Sequence, residues 1–240
     1  MKTETSYKVH QIKRIGAGAI SAGLICGTSF SATLLEWNTY GNTGTETEET
    51  SVSNTTGLLS STMTIGPGVT LTSSSDRFGG RSFYDSTTDS NPTTLNEAIA
   101  DGEYIQFTVT PQSGYSYSVT DFSFIWDRSG TGPDSVALRS SGDNYASTLA
   151  SASSLASGNT TVFTNLSFNL TSLTSATTFR LYAYGATSSA GNAGFDTSSN
   201  SPNIKLLGSV SAIPEPTGIT SGALLAAGLF YRARPRGIKR

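Results

Sequence analysis

The sequence predicts an all-β protein: an antiparallel β-sandwich, jelly-roll-like in arrangement, flanked by an N-terminal signal peptide and a single hydrophobic C-terminal helix. Three observations predict it. Short stretches in the middle of the chain alternate apolar and polar residues with a period of two. Turn-forming clusters such as "PQSGY", "DRSGTGPDS" and "SSGDN" separate those stretches. Finally, charged residues make up only 13% of the chain, about half the usual share, while Ser, Thr and Gly abound.

The first candidate strands are "LLEWNTY", "TMTIG", "GVTLTSS" and "RSFYD". The polar, acidic stretch 41–57 between the first two reads as mobile. In "TLNEAIADG", Thr94 and Glu97 have capping-box spacing and Gly102 offers a stop, which predicts a short helix. "EYIQFTVTP" then puts Ile105, Phe107 and Val109 on one face, and "DFSFIWD" aligns Phe122, Phe124 and Trp126. "SVALRS" sets Val136 and Leu138 opposite Ala137 and Arg139. The low-complexity "SASSLASGNTT" reads as a long loop. After it, "VFTNLSFNL" aligns Val162, Leu166, Phe168 and Leu170. "TFRLYAYG" sets Phe179, Leu181 and Ala183 opposite Arg180, Tyr182 and Tyr184, and "NIKLLGSV" closes the set. Roughly ten one-sided strands without a repeat of fixed period describe a sandwich.

At 240 residues with 36% hydrophobic content, the chain can bury one sizeable core. The expected organisation is a signal peptide over 1–31, the sandwich over 32–212 and a C-terminal segment over 213–240. Lys2, Lys8, Lys13 and Arg14 precede the apolar run "IGAGAISAGLICGTSF" and the small residues Ser29 and Ser31. That is the order of a secretory signal peptide, with cleavage after Ser31 or Ala32. The "GAGAISAG" in this run matches part of a dinucleotide-binding glycine pattern, but no strand precedes it. Cys26 as a lipidation site would want a small residue where Ile25 stands.

Between Ala32 and Ile213 stand six basic residues against 15 of the 17 acids, a net charge of −9. So acidic a body argues against a nucleic-acid partner. The only His and the only Cys, His10 and Cys26, leave with the signal peptide. A Ser-His-Asp triad, a Cys nucleophile and His-ligated zinc or haem are thereby excluded from the mature domain. Carboxylate chemistry and oxygen-ligated metals remain.

At the other end, Pro214-Glu215-Pro216 precedes Thr217–Tyr231, fifteen uncharged residues, and then Arg232, Arg234 and Arg236. As a helix the run would span about 22 Å, short of the ~30 Å hydrocarbon core. Basic residues after a weak apolar helix hold that end at the cytoplasmic face. This order of short motif, apolar segment and arginine cluster resembles the PEP-CTERM sorting domain of bacterial surface proteins, over Ile213–Arg240. The resemblance implies export, transient inner-membrane anchoring and recognition by an exosortase that cuts near the motif. It also implies a final place at the cell surface or outside the cell, among exopolysaccharide and biofilm. Pro235 interrupts the basic cluster, and the tail runs on through "RGIKR". The stretch Tyr104–Gly208 is also similar to sandwich bodies in several PEP-CTERM proteins, notably in "DRSGTGPDSVALRSSGDNYAS" and "FRLYAYGATSSAG".

Three groups in the body are candidates for binding. Arg180, Tyr182 and Tyr184 share one strand face and could stack on sugar rings, or simply make cross-strand pairs on an outer face. Asp127-Arg128 and Arg139 with Asp143 flank "SGTGPDS", as a polar rim or as turn-anchoring ion pairs. "DSTTDSN" at 85–91 with Asp76 offers oxygen ligands for Ca²⁺, or solvated loop acids, without EF-hand spacing. The expectation is a non-catalytic surface or matrix protein without a required cofactor. The alternative is a carbohydrate-binding module, with a glycosidase behind it.

Overall fold

The computed structural model describes residues 31–197 and 199–215, and among them the chain forms fourteen strands and one α-helix. In order these are β1 (Ala32–Trp37), β2 (Glu48–Thr50), β3 (Ser53–Asn54), β4 (Thr62–Ile65), β5 (Thr70–Leu71), β6 (Arg77–Arg81) and α1 (Leu95–Asp101). They continue as β7 (Tyr104–Val109), β8 (Tyr115–Arg128), β9 (Ser135–Ser140), β10 (Ala150–Ala152), β11 (Phe163–Leu173), β12 (Thr177–Tyr184), β13 (Asn192–Asp196) and β14 (Ile204–Ala212). One sheet has the order β3-β1-β14-β8-β13-β6-β5, with β11 also paired to β8; the other runs β10-β9-β12-β7-β4-β2. Every pairing in both sheets is antiparallel.

The sheets face each other across one aromatic core. Phe107 on β7 and Phe179 on β12 are cross-strand partners whose rings stack with centroids 5.3 Å apart. From the second sheet Phe107 reaches Trp37 on β1 at 5.1 Å and Phe122 on β8 at 5.0 Å, both in the first. Phe124, Trp126 and Phe195 continue the packing along β8 and β13. Rings in these tilted and edge-on arrangements combine large apolar burial with favourable quadrupole contacts. All of the alternating residues expected in β7, in the 122–126 stretch of β8 and on the inner side of β12 are buried. The antiparallel two-sheet architecture is therefore the one the alternation predicts.

Several elements differ from expectation. Residues 41–57 contain β2 and β3 and are tied down. The Glu46 carboxylate accepts from the Thr43 and Gly44 N–H groups, and the Asn42 amide donates to Glu49. Val162 precedes β11 and is 63% exposed instead of facing the core. "RSFYD" is not a strand beyond Arg81; the strand is the preceding "RFGGR". That strand carries no readable alternation because its centre is glycine. A Cβ on Gly79 would lie 2.5 Å from the Gly194 Cα, and one on Gly194 would lie 2.9 Å from the Gly79 Cα. Close backbone approach between β6 and β13 thus demands residues without side chains. The loop expected at 151–161 begins inside β10.

The helix forms as its caps predict. The Thr94 side chain accepts from the Glu97 N–H and Glu97 bonds back to the Thr94 N–H at 2.6 Å, while Gly102 closes the end at φ 76°. Among the described residues no helix is long and apolar enough to cross a membrane. The expected signal peptide (but for Ser31), Pro216, the C-terminal helix and Arg232, Arg234 and Arg236 lie outside the described residues.

Candidate functional site

The outer face of the second sheet carries polar and aromatic side chains from β7 and β12, with Arg180 opposite Gln106 and Tyr182 opposite Tyr104. Arg180 and Tyr182 face outward on β12, because Phe179, Leu181 and Ala183 take the inner side. The Arg180 guanidinium lies over the Tyr104 ring at 4.3 Å and over the Tyr145 ring at 4.1 Å, and its Nε donates to Gln106 Oε1 at 3.1 Å. Cation–π contact therefore engages it with two tyrosines of its own chain. Tyr182 is only 2% exposed, and its ring meets that of Tyr104 edge-on at 5.4 Å. α1 packs against β12, and Ala98 and Tyr182 are each buried without belonging to the main core. Thr93 fastens this layer: its Oγ1 accepts from the Gly185 and Ala186 N–H groups at 2.9 and 3.0 Å.

Of the expected platform of Arg180, Tyr182 and Tyr184, Arg180 and Tyr184 are half-buried and Tyr182 is buried. Tyr182 packs edge-on against Tyr104 and is withdrawn from the surface, and Arg180 is clamped by Tyr104 and Tyr145. Tyr184 is half-buried, and burial together with the charge of Asp134 raises its phenol pKa above the ordinary value.

The arginines flanking "SGTGPDS" act on backbone. Arg128 donates to the carbonyls of Leu155, Ser129, Gly130 and Gly132, and Arg139 to those of Tyr145 and Ala146. Asp143 accepts from the N–H groups of Ala146 and Ser147. They anchor turns, as the plainer reading expects, but through carbonyls instead of ion pairs. Arg139 and Asp143 between them hold the turn from which Tyr145 reaches Arg180.

Asp127 has a different partner. Its carboxylate pairs with Nη2 of Arg77, whose Nη1 donates to Asn192 Oδ1 at 2.7 Å and whose Nε lies 3.8 Å from Asp196. All three charged residues are less than one-tenth exposed. Burial outweighs the attraction of Arg77 and pushes the Asp196 carboxyl up to about 6, from an ordinary 3.8. A carboxyl with a raised folded pKa holds its proton more tightly in the folded state. Its contribution to stability is full below about pH 4 and is lost as pH rises through about 6. Asp196→Asn is expected to flatten that part of the pH–stability curve. Relative to the variant, the wild type should lose about 1–3 kcal/mol between roughly pH 4 and 7. Denaturation midpoints across that range measure it, and parallel curves would refute it.

A second acidic group matches the expected oxygen-ligand set only in part. Asp85 and Asp89 come from the 85–91 loop, but Asp76 stands apart, its Oδ1 accepting from the Gly41 N–H. In its place come Asp101, at the end of α1, and Glu103, just before β7. One carboxylate oxygen from each of Asp89, Asp101 and Glu103 lies within 4.8 Å of the others. Gly102 in the left-handed conformation turns the chain between Asp101 and Glu103. Asp85, Asp101 and Glu103 line a cleft of about 440 Å³ with Gly68, Ser82 and Tyr84. Glu103 is 2% exposed; burial first, then Asp89 and Asp101, pushes its carboxyl up to about 8. Glu97 is already committed, held down at about 2 by N–H bonds from Thr94 and Ser90. The sequence signal that could have found the site was "ADGE", two acids astride a helix-stopping glycine.

Comparison with known proteins finds no matching family model, no matching curated protein and no matching solved structure.

Proposed function

We propose that this chain is an exported, non-catalytic surface or extracellular-matrix protein, a jelly-roll-like sandwich sorted through Pro214-Glu215-Pro216. One observation carries the reading. The backbone N–H of Ile213 donates to the Gly114 carbonyl at 2.8 Å, and Pro214 and Glu215 beyond it are exposed. A proline-flanked segment in that position is extended and accessible to a processing enzyme at the membrane surface. The entry of the body supports it too. β1 begins at Ala32 and pairs with β14 at Gly208, so the first strand starts near the end from which the tail departs. Loss of residues 1–31 would leave that strand whole. The partners on this reading are an exosortase, the inner membrane in passing, and exopolysaccharide at the final site.

Replacing Pro214-Glu215-Pro216 with three alanines is expected to leave export intact and to trap an unprocessed, membrane-bound form. Deleting 217–240 should release the body without processing. Fractionation and mass spectrometry of the tagged chain measure both. An alanine variant processed and released like the wild type overturns the reading. The carbohydrate-binding module is the weaker reading, since Tyr182 is buried and Arg180 already has aromatic partners.

A further inference from the structure

We propose that Asp89, Asp101 and Glu103 form a Ca²⁺ site that fastens the 85–91 loop and the end of α1 to the start of β7. Two independent observations meet there. The first is the convergence of three carboxylates from two segments, the 85–91 loop and the Asp101–Glu103 turn, with ligand oxygens within 4.8 Å of one another. Two oxygens on one Ca²⁺ can be no farther apart than about 4.8 Å, twice the ~2.4 Å coordination distance. The second is Glu103 itself. It is 2% exposed, its Oε2 has no hydrogen-bond partner among the described residues, and it lies among the carboxylates at the cleft.

A buried, unpartnered carboxylate oxygen beside two further acids is an expensive arrangement unless a cation or a proton neutralises it. Among the described residues no Lys or Arg makes an ion pair with Asp89, Asp101 or Glu103. The charged groups that surround the three are Asp85 and Glu97, which add negative charge. Asp85 also stiffens the loop, since its N–H donates to Asp89 Oδ2 at 2.6 Å and its own Oδ1 accepts from the Thr87 N–H at 2.8 Å.

The donor set selects the ion. Three hard oxygen ligands without nitrogen or sulfur suit Ca²⁺ or Mg²⁺ over zinc or copper. A site assembled from a loop, a helix end and a strand entry, open to water beside the exposed Asp101, matches the irregular, larger shell of Ca²⁺. Mg²⁺ demands a tighter octahedron at ~2.1 Å. The chemistry is purely structural: the ion would tie the loop, through Asp89, to the helix end that packs against β12.

The test uses the full chain, stripped with EGTA and returned to buffers of matched ionic strength. Adding CaCl₂ to about one hundred times the dissociation constant should raise Tm by about 5–10 °C. MgCl₂ should raise it less. Tb³⁺ luminescence, sensitised by Tyr84 at the cleft, should appear and be competed away by Ca²⁺. Glu103→Gln should abolish the Ca²⁺-dependent shift while folding without the ion at least as well as the wild type. Should that variant fail to fold, Asp101→Asn at the exposed rim should weaken Ca²⁺ at least tenfold. An unchanged Tm with Ca²⁺, an equal shift from NaCl or MgCl₂, or undiminished Ca²⁺ binding by the variants would overturn the proposal.

Discussion

Arg77→Met is expected to cost about 3–5 kcal/mol of folding stability, out of proportion to the few atoms it removes. Arg77 is 7% exposed, and its guanidinium joins Asp127 on β8 to Asn192 and Asp196 on β13. Those three strands are neighbours in one sheet. Gly79 on β6 and Gly194 on β13 place no side chains between those two strands, so the charged contacts do more of the holding there than in an ordinary strand pair. Methionine fills a similar volume but leaves two buried carboxylates without a cation. The penalty comes mainly from those stranded charges and only partly from the lost attraction. Adding Asp127→Asn to Arg77→Met should therefore recover part of the loss, a coupling that a double-mutant cycle measures directly. Urea denaturation with an unchanged slope gives the value. A loss below about 1 kcal/mol would mean that water reaches the cluster.

Phe107→Ala should cost a comparable ~3–5 kcal/mol, by a different mechanism. Its ring touches Trp37 and Phe122 across the sandwich and stacks on Phe179 within its own sheet. Truncation removes apolar burial and also leaves a cavity between two sheets that cannot collapse without breaking strand pairing. Phe163→Ala serves as the contrast. Phe163 is 52% exposed at the start of β11, so its loss should change stability by less than about 0.5 kcal/mol. If the two substitutions cost the same, the centre of the core lies elsewhere than at Phe107.

These two sites were unequally legible. Phe107 belongs to an alternating run whose period announces a strand, and the inner face follows from the pattern alone. Arg77 sits in "DRFGGR", where glycines erase the pattern and the charges look like those of a turn. Nothing local tells that Asp127 and Asp196, 50 and 119 positions later in the chain, will close on it. The same division holds in the acidic cleft. The loop acids Asp85 and Asp89 stand out in sequence, and the capping box of α1 could be read from Thr94 and Glu97. That the end of this helix would bring Asp101 and a buried Glu103 to that loop depended on where the helix docks.

What the sequence by itself determined is whatever local periodicity and turn chemistry encode: antiparallel strands, their inward faces and one short capped helix. These depend on contacts a few residues apart or on a period of two, and the chain carries them in any fold. Only the tertiary structure decided which outward residues stay outward. Tyr182 alternates as a surface residue should, yet it packs against Tyr104 on the neighbouring strand and is buried; Val162 alternates as a core residue should, yet it lies beyond the paired part of β11 and stays exposed. Alternation specifies the two faces of a strand, but what covers each face, and where pairing stops, is set by elements far away in the chain.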